Sequence, residues 1–292
     1  MIGGLQQVVR AVLPRAAKTR VQSALERLQR YSLCLALREQ GLWELQERLA
    51  QIVPDLKRQY TAFEVNSAYL VLKVRGMHAF QVALTNEAIA SLSAPSEPLN
   101  VVDIGDSAGT HIQYLLALHK DRELRCTSIN LDVAAVRRIR DKGLQAEQLR
   151  AEEIGSRGIH AGLFISFEML EHLENPVQFL KSLSDRTACR ALVITVPYVE
   201  RSRVGLHHIR HGLRQSRTPE NTHIFELSPA DWRLLFMHAG WKVQQERLYL
   251  QYPKHGLLRL TKPLWRNLDF EGFWGAVLQR DTTWSGHYRG EE

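Results

Sequence analysis

The chain has 292 residues, of which 45% are hydrophobic and 24% are charged, and its formal net charge is +7. This composition is typical of a soluble globular protein, and no apolar run reaches the ~18 residues that a membrane-spanning helix needs. Cys34, Cys126 and Cys189 are widely spaced and fit neither a disulfide framework nor a zinc site, so we expect a reducing, cytoplasmic location. The positive charge permits an anionic partner, such as an acidic metabolite, a membrane surface or nucleic acid, without requiring one.

Residues 1–98 are predicted to form a helical N-terminal extension. Apolar residues recur at helical spacing over 21–33, and a second run over 64–92 contains no proline. The segment 94–98, which holds two prolines, then ends the helical pattern. Leucine-rich helical stripes are usually core or oligomer contacts, so we expect the extension to serve as a lid or as the contact of a homodimer. Its arginine-bearing start could also lie on an anionic membrane surface.

After residue 98 the pattern alternates between strands and helices. Strands are predicted at 99–104, 124–131, 144–149, 161–167, 191–198, 241–250 and 273–279. Helices are predicted at 109–120, 133–142 and 228–240, and from Pro176 onward. Such alternation predicts an α/β fold with a doubly wound parallel sheet, covered by helices on both faces. We therefore expect one domain over 99–292, with a basic loop at 200–220 and an excursion at 253–270.

The ends of the first two predicted strands carry residues that suit a nucleotide-like ligand. The first strand ends at Asp103 and Gly105, Gly109 lies in the turn that follows, and Asp132 comes at the end of the second strand. In doubly wound sheets, ligands bind at the carboxyl ends of strands, and an acid there can accept hydrogen bonds from ribose hydroxyls. A dinucleotide fingerprint needs glycines at positions one, three and six, and here only the first, Gly105, is a glycine. The pattern therefore gives little support to a pyrophosphate site.

Several segments resemble, in order, the motifs of class I S-adenosylmethionine-dependent methyltransferases. They are Val101-Val-Asp-Ile-Gly-Asp-Ser-Ala-Gly109, Asn130-Leu-Asp132, Phe167-Glu-Met-Leu-Glu-His-Leu-Glu-Asn-Pro176 and Leu192-Val-Ile-Thr-Val-Pro197. Two more, His223-Ile-Phe-Glu-Leu-Ser228 and His238-Ala-Gly-Trp-Lys-Val243, are similar to the ubiquinone-type O-methyltransferase branch. The resemblance implies a Rossmann-like fold with a seven-stranded sheet and S-adenosylmethionine as the cofactor.

The resemblance also implies roles for individual residues. Those that would contact the amino-acid half of the cofactor are Asp103, Gly105, Ser107 and Gly109, with Arg75 on the preceding helix as the candidate for its carboxylate. Asp132 would bind the ribose, and Phe167 would line the adenosine.

Two departures from the family pattern stand out. The middle glycine of the first motif is Ser107 here, which would tighten the turn or weaken binding. The acid expected near the adenine stays open between Glu147, Glu152 and Glu153.

A cluster of ionisable residues follows the fourth predicted strand. Glu168, Glu171 and His172 stand at spacings that a helical turn would gather on one face. The bland interpretation is that the pair Glu171 and His172 caps the strand end. The alternative is a divalent site for Mg²⁺ or Mn²⁺, completed by His223, because carboxylates and imidazole suit such cations. A metal would lower the pKa of an acceptor hydroxyl, and without a metal His172 or His223 would be the catalytic base.

The acceptor is the least determined part of the prediction. The loop at 200–220 holds five arginines and three histidines and has no acid over 201–217, which suits either a solvated basic loop or a lid over an anionic substrate. It lacks the aromatic residues that base stacking would favour, so nucleic acid is the weaker choice. We predict methyl transfer to a hydroxyl of a small molecule or glycan, with an RNA ribose 2′-O-methyltransferase and a non-catalytic scaffold as alternatives.

Overall fold

The structure is a computed structural model that describes residues 15–57, 59–60, 65–92, 97–204, 223–262, 265 and 271–288, with side chains from residue 23 onward. The described α-helices are α1 (Arg15–Glu39), α2 (Trp43–Ile52), α3 (Ala68–Leu92), α4 (Thr110–Leu118), α5 (Val133–Asp141), α6 (Pro176–Arg186) and α7 (Pro229–His238). Among them, none combines the length and the apolar character that crossing a bilayer requires.

The strands form one large sheet and one short ribbon. The strands of the large sheet are β1 (Leu99–Ile104), β2 (Leu124–Asn130), β3 (Gln145–Gln148), β4 (Leu163–Phe167), β5 (Ala191–Pro197), β8 (Trp241–Leu250) and β9 (Gly272–Arg280). Its seven strands lie in the order β3-β2-β1-β4-β5-β9-β8. The ribbon pairs β6 (Arg203–Val204) with β7 (Phe225–Glu226).

The predicted doubly wound, seven-stranded fold is confirmed, but the sheet is mixed rather than wholly parallel. Strands β1 to β5 pair in parallel, whereas β9 lies antiparallel between β5 and β8. Antiparallel neighbours do not require the long crossover connection that parallel neighbours need, so β9 can follow β8 directly in the sheet. Consequently β8 runs in the same direction as β5, and its carboxyl end lies at the same edge of the sheet.

Alternating side chains of the central strands supply two separate cores. Leu99, Val101 and Leu163 belong to the core that contains α1, α2, α3 and α4, while Val102 and Phe164 face the core that contains α6 and α7. This period of two is the expected consequence of the pleat. Both faces of the sheet are therefore covered, which is why its central strands read as continuous apolar runs.

Side-chain caps fix where the helices after β2 and β4, and the helix before β8, begin. Asp132 accepts a hydrogen bond from the Ala134 amide at the start of α5, and Asn175 accepts one from the Gln178 amide at the start of α6. Ser228 does the same for α7. Such caps satisfy amide groups that the helix itself leaves without a partner, which is why these boundaries are readable from the sequence.

Two predicted segments fall partly outside the described residues. Of the basic loop, the structure describes the part up to Val204, so the arginines and histidines over 205–222 receive no structural account. The segment 253–270 is described up to Lys262 and at Trp265, which is buried against Tyr252 and Leu250.

Candidate functional site

A tight turn follows β1 and leads into α4. Gly105 has a φ of +95°, a region that side chains rarely adopt, and its amide donates to the Ile129 carbonyl on β2. The buried Asp106 accepts hydrogen bonds from the Ala108 and Thr110 amides through one oxygen. The turn is therefore held open by its own backbone geometry and by Asp106.

Gly109 and Ser107 have structural tasks in this turn. Gly109 begins α4 with a φ of +71°, and a Cβ there would lie 2.7 Å from a Leu144 methyl carbon. Gly109 therefore packs against Leu144, and it does not line the cavity that is described next. The Ser107 hydroxyl donates to the Gln59 carbonyl at 3.0 Å, which ties the segment before α3 to the turn.

A cavity of about 560 Å³ opens at the carboxyl ends of β1, β2 and β4. Ligand pockets usually measure about 300–1,000 Å³, so a nucleoside-sized molecule fits. Seven of the predicted site residues line it: Asp103, Gly105, Ser107, Asp132, Phe167, Glu168 and His172. The strand ends thus bring these residues to one place, although their positions span more than sixty residues of sequence.

The end of β2 differs in detail from the prediction. Its last residue is Asn130, whose side chain donates to the Asp106 carbonyl and accepts from the Asp132 amide. Asp132 uses one oxygen to cap α5 at the Ala134 amide and lies at the cavity wall. Of the three candidate acids near the adenine, Glu152 lines the cavity, whereas Glu153 folds back on the Arg150 amide.

A chain of polar contacts runs along one side of the cavity. His111 contacts Gln81 through Nε2 at 2.9 Å, and the Gln81 amide donates to the Thr195 hydroxyl at 3.1 Å. The other ring nitrogen of His111 lies 3.6 Å from a carboxylate oxygen of Asp103. Burial, and secondarily the Asp106 carboxyl, raises the pKa of Asp103 well above its ordinary value. The chain ends at Glu168, which is hydrogen-bonded to Thr195.

Glu168 lies in a strained and largely desolvated position. Among the described residues it is the one non-glycine with positive φ, at +50°, and its amide donates to the Thr195 carbonyl. Burial raises the pKa of the Glu168 carboxyl to about 8, against the lowering effects of the Thr195 hydrogen bond and of Lys73. Burial also lowers the pKa of Lys73 to about 8. One oxygen of Glu168 is buried without a hydrogen-bond partner. Backbone strain of this kind is common at functional sites.

The predicted metal ligands are only partly brought together. Ligand atoms of Glu171, His172 and His223 lie within 4.8 Å of one another, and the two imidazole rings are 4.7 Å apart at right angles. Glu171 is 1% exposed, and neither of its carboxylate oxygens has a hydrogen-bond partner. Glu168 does not belong to this group, because the segment Leu170–His172 is a 3-10 turn and Glu168 precedes it with positive φ.

His223 is also tied to the β6–β7 ribbon. Its Nδ1 lies 3.1 Å from a Glu226 oxygen, and Glu226 forms an ion pair with Arg203. The Ile224 amide donates to the Glu171 carbonyl at 2.7 Å, which holds the ribbon against the end of β4. His223 does not itself line the cavity, and His172 lies between them.

Comparison with known proteins settles the family. A family model described as a methyltransferase domain matches residues 77–246, more than half of the chain. The chain belongs to this methyltransferase family. No curated protein matches it. With the fold and cavity described above, it is a class I methyltransferase that uses S-adenosylmethionine.

Several solved structures are similar to this chain at low sequence identity. A Galdieria sulphuraria protein, described provisionally as a sarcosine dimethylglycine methyltransferase, is 12% identical with a TM-score of 0.51, over 72% of this chain and 87% of that one. The Burkholderia thailandensis 1,6-didemethyltoxoflavin-N1-methyltransferase is 11% identical with a TM-score of 0.49, over 70% and 78%. An O-methyltransferase from a Brevibacillus brevis multienzyme is 12% identical with a TM-score of 0.47, over 72% and 74%.

One predicted cofactor contact of the methyltransferase lies elsewhere. Arg75 is 4% exposed, and its guanidinium donates to the carbonyls of Val53 and Pro54, at 2.8 Å each. It therefore fixes the chain after α2 to α3, and it does not line the cavity.

Sequence reasoning missed the residues that the N-terminal part contributes to the cavity of the methyltransferase. They are Tyr60, Met77, His78 and Gln81. The Tyr60 hydroxyl lies 2.6 Å from His78 Nε2, and burial lowers the pKa of His78 well below its ordinary value. A signal was present, because His78 and Gln81, three residues apart, are the polar residues of the otherwise apolar stretch 76–84 of this helix.

Proposed function

We propose that the protein transfers a methyl group from S-adenosylmethionine to a hydroxyl of a small molecule or glycan, as in the ubiquinone-type O-methyltransferase branch. The observation that carries the proposal is Glu168. It lines the cavity with a buried, unpartnered oxygen and a pKa of about 8. A hydroxyl is a poor nucleophile at neutral pH, so its methylation gains from a nearby proton acceptor whose pKa is close to the working pH.

The residues of the cavity fit the cofactor. S-Adenosylmethionine supplies an electrophilic methyl group when it is bound. The turn at Gly105 allows a close approach of the backbone to the cofactor. Asp103 and His111 offer polar atoms at the carboxyl end of β1. The oxygen of Asp132 that does not cap α5 is available for a ribose hydroxyl, and Phe167 supplies an apolar wall.

Two groups could take the proton of the acceptor hydroxyl. Glu168 is the first, because it lines the cavity with one buried oxygen and the Thr195 hydroxyl orients it. His172 is the second and was predicted from the sequence, with His223 behind it and Glu226 as the partner of His223. Such an arrangement suits a base whose ring is held by a neighbour.

A divalent cation is a further part of the proposal. Glu171, His172 and His223 would hold Mg²⁺ or Mn²⁺, and the two unpartnered oxygens of the buried Glu171 support this site. The cation would lower the pKa of the acceptor hydroxyl. Calorimetric titration with Mn²⁺ should show binding that Glu171→Gln abolishes and that Glu174→Gln, three residues further along and at the cavity wall, leaves intact. Equal Mn²⁺ affinity in wild type and Glu171→Gln would exclude the site.

The N-terminal extension, residues 1–98, is proposed to act as a lid. Tyr60 lines the cavity, and Gln59 accepts hydrogen bonds from Ser107 through its carbonyl and from Thr110 and Lys142 through its side chain. These contacts join the extension to the turn between β1 and α4, residues 105–109. A homodimer through α1 is the alternative, and the mass in solution by light scattering distinguishes a dimer from a monomer.

Titration with S-adenosylhomocysteine, with and without Mg²⁺, tests the proposal first. We expect micromolar binding, which Asp132→Asn should weaken at least ~10-fold, because asparagine keeps the helix cap but removes the charged partner of the ribose. If the protein binds S-adenosylhomocysteine, it should then transfer the labelled methyl group of S-adenosylmethionine to a member of a panel of diols, catechols and glycans. No binding in either buffer would favour the scaffold alternative. Transfer to RNA alone, with steep salt dependence, would favour the ribose methyltransferase.

A further inference from the structure

Two leucines on a short 3-10 turn are the most exposed large hydrophobic residues among those that the structure describes. Leu257 is 85% exposed and Leu260 is 77% exposed. In a 3-10 helix, residues three apart lie above one another, so the two side chains point the same way. Single exposed leucines are common, but two that share a direction form a small apolar face.

Cationic residues flank these leucines in the sequence. We call residues 254–262 the basic leucine turn. It contains Lys254, His255, Arg259 and Lys262 and no acid. Lys262 pairs with Glu200, and His255 lies 3.4 Å from Glu39. Within the described residues, Lys254 and Arg259 have no ion-pair partner, and both are exposed.

The basic leucine turn lies at the edge of the sheet where the cavity opens. It follows β8, whose Tyr249 is level with Phe273 of β9, and Phe273 is level with Pro197 at the end of β5. The Lys262–Glu200 pair ties it to the chain just after β5, at 2.8 Å. The apolar face and the entrance to the cavity therefore share one side of the protein.

We propose that the basic leucine turn docks on an anionic lipid surface. Leu257 and Leu260 would enter the boundary between headgroups and acyl chains, and Lys254 and Arg259 would contact lipid phosphates. Leucines beside unpaired cations match such a surface, because it offers both apolar depth and negative charge. RNA would contact the cations but leave the leucines exposed, because its bases stack on aromatic rings and not on leucines. If the proposed function also holds, an acceptor in the same membrane would face the cavity.

Vesicle sedimentation of the full chain tests the proposal without any methyl acceptor. The probes are vesicles of phosphatidylcholine alone and of phosphatidylcholine mixed with phosphatidylglycerol. We expect binding only to the mixed vesicles. Lys254→Ala with Arg259→Ala should weaken it about 25-fold, because each cation near an anionic surface contributes about fivefold. Leu257→Ala with Leu260→Ala should weaken it at least ~10-fold. Matched controls are Leu234→Ala on α7 and Arg157→Ala, both at exposed residues elsewhere.

Three results would overturn the proposal. The first is a wild-type protein that does not sediment with the mixed vesicles, whether or not it binds single-stranded RNA. The second is equal vesicle binding by the leucine double variant and the Leu234→Ala control. The third is a lower melting temperature of the leucine double variant, because leucines that face lipid contribute nothing to folding in water, whereas leucines that cover another part of the chain do.

Discussion

Replacing Glu168 by glutamine removes the carboxylate but keeps the side-chain length and an oxygen that can accept the Thr195 hydrogen bond. The folded-state pKa of about 8 is raised above the ordinary 4.5. The stability that the protonated form contributes is therefore complete below about pH 4.5 and is lost as the pH rises through about 8. Wild type should lose stability over this range relative to Glu168→Gln, which carries no titrating group at this position.

The magnitude follows from the same pKa. Each pH unit between the two pKa values contributes about 1.4 kcal/mol, so from pH ~6 to the folded pKa the difference grows by at most about 3 kcal/mol. Glu168 borders the cavity, where water screens its charge, so we expect about half of that. The Glu168 carboxylate also counteracts the lowering of the Lys73 pKa, so part of the measured difference belongs to this pair.

Urea unfolding of both proteins from pH ~6 to ~9 measures this difference. Glu152→Gln, at an exposed carboxyl of the same cavity, is the matched control and should run parallel to wild type. Once an acceptor is known, Glu168→Gln should also lower kcat about 10²-fold or more, the usual contribution of a catalytic base. Parallel stability curves for wild type and Glu168→Gln would refute the assignment of Glu168 as a desolvated proton acceptor.

The remaining predictions concern the turn between β1 and α4 and the residues that support it. Arg75→Met should cost about 2 kcal/mol in urea unfolding, because one buried and one partly buried carbonyl lose their donor, and should leave S-adenosylhomocysteine affinity unchanged; a selective loss of affinity would contradict this. Gly105→Ala and Gly143→Ala should each cost about 1 kcal/mol for positive φ, but calorimetry should show weaker cofactor binding only for Gly105→Ala, since Gly143 faces open space. Ser107→Ala should weaken cofactor binding about fivefold by releasing Gln59, and tighter binding would show instead that Ser107 crowds the site.

Strand and helix positions after residue 98 were predictable because each has a local physical cause. Strand β1 was predicted at its observed bounds from its four apolar residues and the glycine-bearing turn that follows, and α7 from the Ser228 cap, Pro229 and the glycine that follows the helix. Seven of the cavity residues were predictable as well, because parallel strands bring their carboxyl ends to one edge. Position at, or just after, the carboxyl end of a strand thus placed these seven residues at the cavity.

Side-chain direction was not predictable from spacing. Glu168, Glu171 and His172 have the spacing of one helical face, yet a single positive φ at Glu168 turns it toward Thr195, while Glu171 and His172 face His223. Arg75 lies on the expected helix but donates to carbonyls that its sequence neighbourhood does not reveal. Long-range partners decide these cases, and local propensity carries no information about them.

The lining of the cavity comes from two parts of the sequence, and this bears on specificity. Strand ends, whose positions follow from the fold, supply Asp103 and Gly105 at β1 and Asn130 at β2. The N-terminal part supplies Tyr60, and His78 and Gln81 on α3. Strand ends can hold the same cofactor in any protein of this fold, so they cannot select an acceptor. The choice of acceptor must therefore depend on side chains that precede β1 or follow β4, which is why the family is readable from the sequence while the acceptor is not.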